Sequence, residues 1–182
     1  MQRPRATAVR YLAKAHVMSE DGQLKRVGMV EFERVLPGPI ERVWEFLTDP
    51  KRLPSWFGEG TIEPRAGGVV RLMGDHFRGI VTQWKPPRRL IYSINVFNPS
   101  ETESQYPESY LSQDLALRGN DVVLTLRHVP VLERFEKQDA MGWHTFLDML
   151  SAGLRDDPIE PRMSYMQRNA ARYGVDLANL AR

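Results

Sequence analysis

The strongest constraint on the fold is the spacing of turn residues from position 58 to position 120. Ala66-Gly67-Gly68, Gly74-Asp75, Lys85-Pro86-Pro87-Arg88 and Arg118-Gly119-Asn120 cut this stretch into short pieces. Glycine admits positive φ, and proline fixes φ and lacks an N–H, so both punctuate regular structure. Between the breaks lie TIEPR, VVRLM, HFRGIVTQW, RLIYSINVF, SYLSQDLAL and DVVLTLRHV, rich in β-branched and aromatic residues. Connections this short join antiparallel neighbours, because a parallel pair needs a crossover of a dozen or more residues. The exception is 98–108, NPSETESQYPE, a polar loop of the length that serves as a lid. A six-strand meander is predicted.

The flanks add one strand and several helices. In Gly28–Leu36, Val30, Phe32, Arg34 and Leu36 fall on one side, and Glu31 and Glu33 on the other with Met29 and Val35. Pro37-Gly38-Pro39 ends that strand. Ile40, Val43, Trp44 and Leu47 then recur at helical spacing. Asp49 is placed to cap a second short helix with Leu53, Trp56 and Phe57 on its apolar side, closed by Gly58 and Gly60. From Leu132 to Arg155 a broad stripe of Phe135, Met141, Trp143, Phe146, Leu147, Leu150 and Leu154 predicts one long helix. His144 and Asp148 are i,i+4 neighbours on it and read as a surface pair. A tail helix is expected over roughly 161–173, with Met163, Met166, Ala170 and Tyr173 on one side and Gly174 as its stop.

This order defines an α+β fold. A curved antiparallel sheet wraps around the long C-terminal helix, with two short helices after the first strand and an extra tail helix. Twist in such a sheet leaves a cavity under the helix, a common place for an apolar ligand.

Charge divides the chain into three. Arg3, Arg5, Arg10 and Lys14 give residues 1–14 a charge of +4, and four arginines against Asp176 give 161–182 a charge of +3. The net charge is +2, so the stretch between carries −5. We therefore divide the chain into a basic extension, 1–26, a body, 27–157, and a basic tail, 158–182, that is partly helical. The acidic body argues against nucleic acid as its ligand. The basic ends are expected to lie on an acidic surface, their own or a partner's, and a homodimer through the tail is one such arrangement. The chain has no cysteine, which excludes disulfides, thiolate metal sites and a thiol nucleophile. No apolar run suggests a signal peptide or a membrane span, and a cytoplasmic location is expected.

Four segments carry a family resemblance: FERVLPGPIERVWEFLTDPKRLPSWFG, EPRAGGVVRL, GIVTQWKPPRRLIYSI and MGWHTFLDMLSAGL. In this order and spacing they resemble the START-like, SRPBCC superfamily with the helix-grip fold. More narrowly, they resemble the branch named for the activator of the heat-shock-protein-90 ATPase. The match covers roughly 27–155. The ends, 1–26 and 158–182, have no counterpart in the family core, and the Gly74-Asp75 turn is shorter than in many relatives. The resemblance implies a pocket between sheet and helix, and it brings carriers, cyclases, co-chaperones and stress-related roles onto one scaffold.

The candidate pocket residues follow from that placement. Trp56, Phe57, Tyr92, Tyr110, Met141 and Trp143 would supply apolar walls and a few hydroxyls, although each can equally be core. His128 ends a strand on the face of Val122, Leu124 and Leu126. It is read as a polar anchor or proton acceptor, against the alternative of a hydrogen-bonded strand-end histidine, and spacing identifies no acid partner for it. His76 falls on an ambiguous strand, as a rim or solvated residue, and His16 lies in the extension without context. Ser55, Ser93, Ser109 and Ser112 have no identifiable base, and no G-x-S-x-G is present. No metal-ligand spacing occurs, so neither a metal nor a cofactor is expected, and no catalytic residue is assigned.

The expected function is binding of a small hydrophobic or amphipathic molecule in the cavity, which requires a space above about 150 Å³. The alternatives are a polyketide cyclase or aromatase-like enzyme using the same cavity, and a co-chaperone-like interaction module.

Overall fold

The alternation at the start of the body forms β1 (Gly28–Pro37), with Val30, Phe32 and Leu36 buried and Glu31 and Glu33 exposed. The computed structural model describes residues 26–98 and 101–180. The two short helices follow as α1 (Ile40–Thr48) and α2 (Leu53–Trp56). The meander comprises β2 (Gly60–Ile62), β3 (Val69–Leu72), β4 (Phe77–Lys85), β5 (Arg89–Val96), β6 (Ser109–Arg118) and β7 (Asp121–Val131). The seven strands form one antiparallel sheet in the order β1-β7-β6-β5-β4-β3-β2. The first strand thus pairs with the last, placing Phe32 opposite Leu126 and Leu36 opposite Val122.

The long helix α3 (Glu136–Leu154) follows a 3-10 turn at Glu133–Phe135, so it starts four residues later than Leu132. It packs on β1, α1 and α2. Its Leu147 and Leu150 meet a core that includes Leu90, Leu111, Leu124 and Leu126 from the sheet, all fully buried. Removing this apolar surface from water is the main force closing sheet onto helix. No helix among the described residues is long and apolar enough to cross a membrane.

The tail helix α4 (Arg162–Tyr173) ends at Gly174, whose φ of 64° forms the left-handed cap that glycine accepts without strain. Its buried face matches the predicted one only in part, at Ala170 and at Tyr173, which reaches His144 of α3. Tyr165, Asn169 and Ala170 face α3, while Met163 is 55% exposed. The cause is polar: the Asn169 amide donates to Thr145 Oγ1 at 3.3 Å and to Asp148 Oδ2 at 3.1 Å, which sets the rotation of the helix.

One further expectation is corrected in part. His144 and Asp148 do approach, at 3.5 Å, but not at the surface: His144 is 7% exposed beneath α4, edge-on to Phe32. Within the described residues, the arginines of the tail helix find partners in the chain itself. Arg162 donates to the Phe57 carbonyl at 2.6 Å and lies over the Phe146 ring, and Arg168 pairs with Glu160 of the tail itself. The extension assigned to 1–26 lies, up to residue 25, outside the described residues.

Candidate functional site

Two periodicities converge on one space. The period of two along β7 puts His128 on the inward face of Leu124 and Leu126. The helical period aligns Phe135, Asp139, Gly142, Trp143 and Phe146 along one side of the 3-10 turn and α3. Between them lies a cavity of about 590 Å³, within the range of small-molecule sites. Phe77, Val96, Phe135, Trp143 and Phe146 give it apolar walls, and Tyr106 and Pro107 reach it from the loop before β6. Tyr106 sits edge-on to Phe135 at 5.4 Å between ring centres, with the Arg134 guanidinium against both rings.

Three polar side chains gather at one wall. His128 Nδ1 lies 2.8 Å from Asp139 Oδ2, and Nε2 lies 2.8 Å from Ser109 Oγ. A carboxylate oxygen accepts from Nδ1–H, and in the neutral ring Nε2 then presents its lone pair to the Ser109 hydroxyl. The Trp143 indole nitrogen is 3.2 Å from Nδ1, but the charged carboxylate is the stronger partner. Asp139 is in the first turn of α3, where the helix dipole favours a negative charge. His76, also on the lining, donates Nδ1–H to the Phe97 carbonyl at 2.7 Å, leaving Nε2 as an acceptor. Among the described residues, no group of three or more His, Cys, Asp or Glu could hold a metal ion.

Of the residues singled out from sequence, His128 and Trp143 line this cavity. Phe57 lies one layer behind, 1% exposed, stacked on Trp143 at 5.6 Å and 9° and in contact with Phe77 and Phe146. Trp56 is core, and its indole N–H ties α2 to α1 through the Phe46 carbonyl at 2.8 Å. Tyr92 shares the inward face of β5 with Ile94 and Val96 but sits one pleat deeper, where burial pushes its hydroxyl pKa far up. Met141, two positions from both Asp139 and Trp143, is buried away from the lining. Tyr110 is 40% exposed on the outer face and donates to Glu108 Oε1 at 2.8 Å. Its position follows from parity, since Ser109 and Leu111 on either side point inward.

Spacing did not reveal that Asp139 and Ser109 both meet His128. Asp139 stood in plain view, an acid four residues before Trp143 and four after Phe135 on an otherwise apolar face. The Ser109–His128 contact had no such signal. It depends on β6–β7 pairing, where His128 stands opposite Leu111 and Ser109 is its diagonal neighbour.

Comparison with known proteins places this geometry. The model of the family "Activator of Hsp90 ATPase homolog 1-like protein" matches residues 37–155. The crystal structure of CalU16 from Micromonospora echinospora is 27% identical, with a TM-score of 0.66 over 80% of this chain and 86% of CalU16. DynU16, from the dynemicin biosynthetic locus, is 24% identical, with a TM-score of 0.64 over 74% of this chain and 50% of its own. The Aha1 dimer from Colwellia psychrerythraea shares the fold at 17% identity and a TM-score of 0.58, over 70% of this chain and 96% of its own. No curated protein matches the chain. With a family model spanning well over half of its length, and with a seven-stranded antiparallel sheet and a long terminal helix, the chain belongs to the activator of Hsp90 ATPase homolog 1-like family of the helix-grip SRPBCC superfamily.

Proposed function

We propose that the protein binds a small hydrophobic or amphipathic molecule between α3 and the sheet. The observation carrying this reading is the 590 Å³ cavity, with aromatic walls and a hydrogen-bonded cluster of Ser109, His128 and Asp139 on one wall. Apolar burial at about 25 cal/mol per Å² supplies affinity, and the polar cluster at His128 fixes orientation. His128 anchors a hydroxyl of the ligand, accepting through Nε2. The origin of DynU16 in a biosynthetic locus supports an organic ligand of that general kind.

Gly142 provides a clean test. It lies on the lining, and a Cβ added there meets no atom within 4 Å. Gly142→Leu fills the cavity while adding a good helix former to α3. Native mass spectrometry of protein purified from its own host should show a bound mass. Fluorescence of 1-aminoanthracene should report binding to the wild type that Gly142→Leu weakens by at least about tenfold, or 1.4 kcal/mol. Equal dye binding by a fully folded Gly142→Leu variant would overturn the assignment.

A second reading, catalysis of the cyclase type, is favoured by the 2.8 Å His128–Asp139 contact. An imidazole oriented by a carboxylate can take a proton from a carbon acid beside a carbonyl. Deuterium exchange at the central carbon of 1-phenylbutane-1,3-dione, accelerated by the wild type and not by His128→Ala, is the expected result. Equal exchange by both proteins would remove that role.

A further inference from the structure

The polar wall holds a nucleophile as well as a base. Ser109 Oγ, His128 and Asp139 are joined in series by contacts of 2.8 Å and 2.8 Å, and all three residues line the cavity. The Ser109 hydroxyl has a second acceptor in the Ile94 carbonyl, at 3.3 Å. The shorter contact and the more basic acceptor direct its proton to Nε2. Ser109 and His128 sit on adjacent paired strands, and Asp139 sits in a helix packed on them. This is the arrangement that activates a serine in acyl transfer: base within reach of the nucleophile, and a third group holding the base in the right tautomer.

We propose that Ser109, His128 and Asp139 form an acyl-transfer site, acting on an ester with a hydrophobic acyl or aryl group that the aromatic walls accommodate. The inference rests on the ligand-binding reading of the cavity. Ser109 Oγ bonds to the ester carbonyl carbon as its proton passes to His128 Nε2. The tetrahedral intermediate collapses, the bond to the leaving oxygen breaks, and that oxygen takes the proton from Nε2. Water, deprotonated by the same nitrogen, then attacks the acyl-serine, releases the carboxylic acid and restores the serine. Asp139 is a positioning residue here, acting through His128.

The test uses the full-length protein with an alkyl fluorophosphonate carrying a fluorophore, and with p-nitrophenyl butyrate. On the phosphonate a P–O bond to Ser109 forms and fluoride leaves with the proton. The expected result is one label per chain, mapped to Ser109 by peptide mass spectrometry. Release of p-nitrophenol should start with a burst and rise with the fraction of neutral imidazole. His128→Ala should slow labelling by about 10²-fold or more, the scale of general-base assistance. Asp139→Asn should lower the rate and shift its pH profile, which a purely structural role would not do. Ser109→Ala, with an unchanged melting temperature, should abolish both signals. 1-Aminoanthracene binding is measured in parallel. Dye binding without Ser109 labelling overturns the acyl-transfer site and leaves the binding reading standing, while loss of both overturns both. Labelling that persists in Ser109→Ala, or is indifferent to His128→Ala, also overturns it.

Discussion

The Arg172 guanidinium lies 2.7 Å from Nε2 of His144, across the contact between α4 and α3. An arginine can only donate, so this nitrogen must offer a lone pair and the ring must be neutral. The other nitrogen completes the arrangement, with Nδ1–H donating to Tyr173 Oη at 2.8 Å. Burial holds the His144 pKa below its ordinary value, Arg34 and Arg172 add to that, and Asp148 opposes them.

A histidine with a lowered folded pKa binds fewer protons in the native state than in the unfolded chain. Stability is therefore highest above the unfolded value of about 6.5 and falls as pH drops through 6.5 toward the folded pKa. The melting temperature of the wild type is expected to fall more steeply between pH 7.5 and pH 5.5 than that of His144→Gln. Parallel slopes for the two proteins would show that the His144 contact is not what couples α4 to pH.

Two glycines should respond oppositely to the same change. A Cβ on Gly79 in β4 would overlap the Ser93 backbone carbonyl, and the adjacent Ile80 N–H donates to Ser93 Oγ at 3.1 Å. Neither backbone can yield without disturbing the β4–β5 contact, so Gly79→Ala should cost about 3 kcal/mol. Gly142→Ala meets open space within a helix and should gain up to about 1 kcal/mol. Thermal melts of the two variants decide this, and a neutral Gly79→Ala would contradict the close approach.

Gln113 is a polar residue on the inward face of β6, between Leu111 and Leu115 and 2% exposed. Its Oε1 has no hydrogen-bond partner among the described residues. An unmet buried acceptor costs on the order of 1–3 kcal/mol, and methionine has a similar shape without it. Gln113→Met should raise stability by about 1 kcal/mol, read as a higher denaturant midpoint at unchanged slope. A lowered midpoint would mean that the amide is satisfied.

Much of the fold was legible because it rests on local rules. Turn residues at 66–68, 74–75, 85–88 and 118–120 separate successive strands, although β2 already ends at Ile62, and the apolar stripe after Leu132 marks the long helix. The site was only half legible. His128 and Trp143 followed from periodicity, because each period defines one face. Tyr110 was misplaced because its aromatic character outweighed its strand parity. Ser109 and Asp139 meet His128 through strand pairing and helix docking, at separations of 19 and 11 residues. Nothing local encodes such a meeting. The buried setting of His144 likewise depends on where the tail helix docks, which Asn169 decides through bonds 24 and 21 residues distant in sequence.

The Tyr106–Phe135 contact is the remaining lever on the cavity. Tyr106 belongs to the loop before β6, Phe135 to the turn before α3, and both line the space that the proposed ligand occupies. Edge-to-face aromatic pairs contribute about 0.5–1.5 kcal/mol beyond their burial. Removing the tyrosine ring should therefore ease opening of the loop without altering the polar wall at His128. Tyr106→Ala is expected to raise the dissociation rate of 1-aminoanthracene by roughly 2- to 10-fold, with its association rate raised as well, because a gate slows passage both ways. Stopped-flow fluorescence separates the two rates. An unchanged dissociation rate would mean that the loop is not on the ligand's path, and that release occurs elsewhere around the cavity.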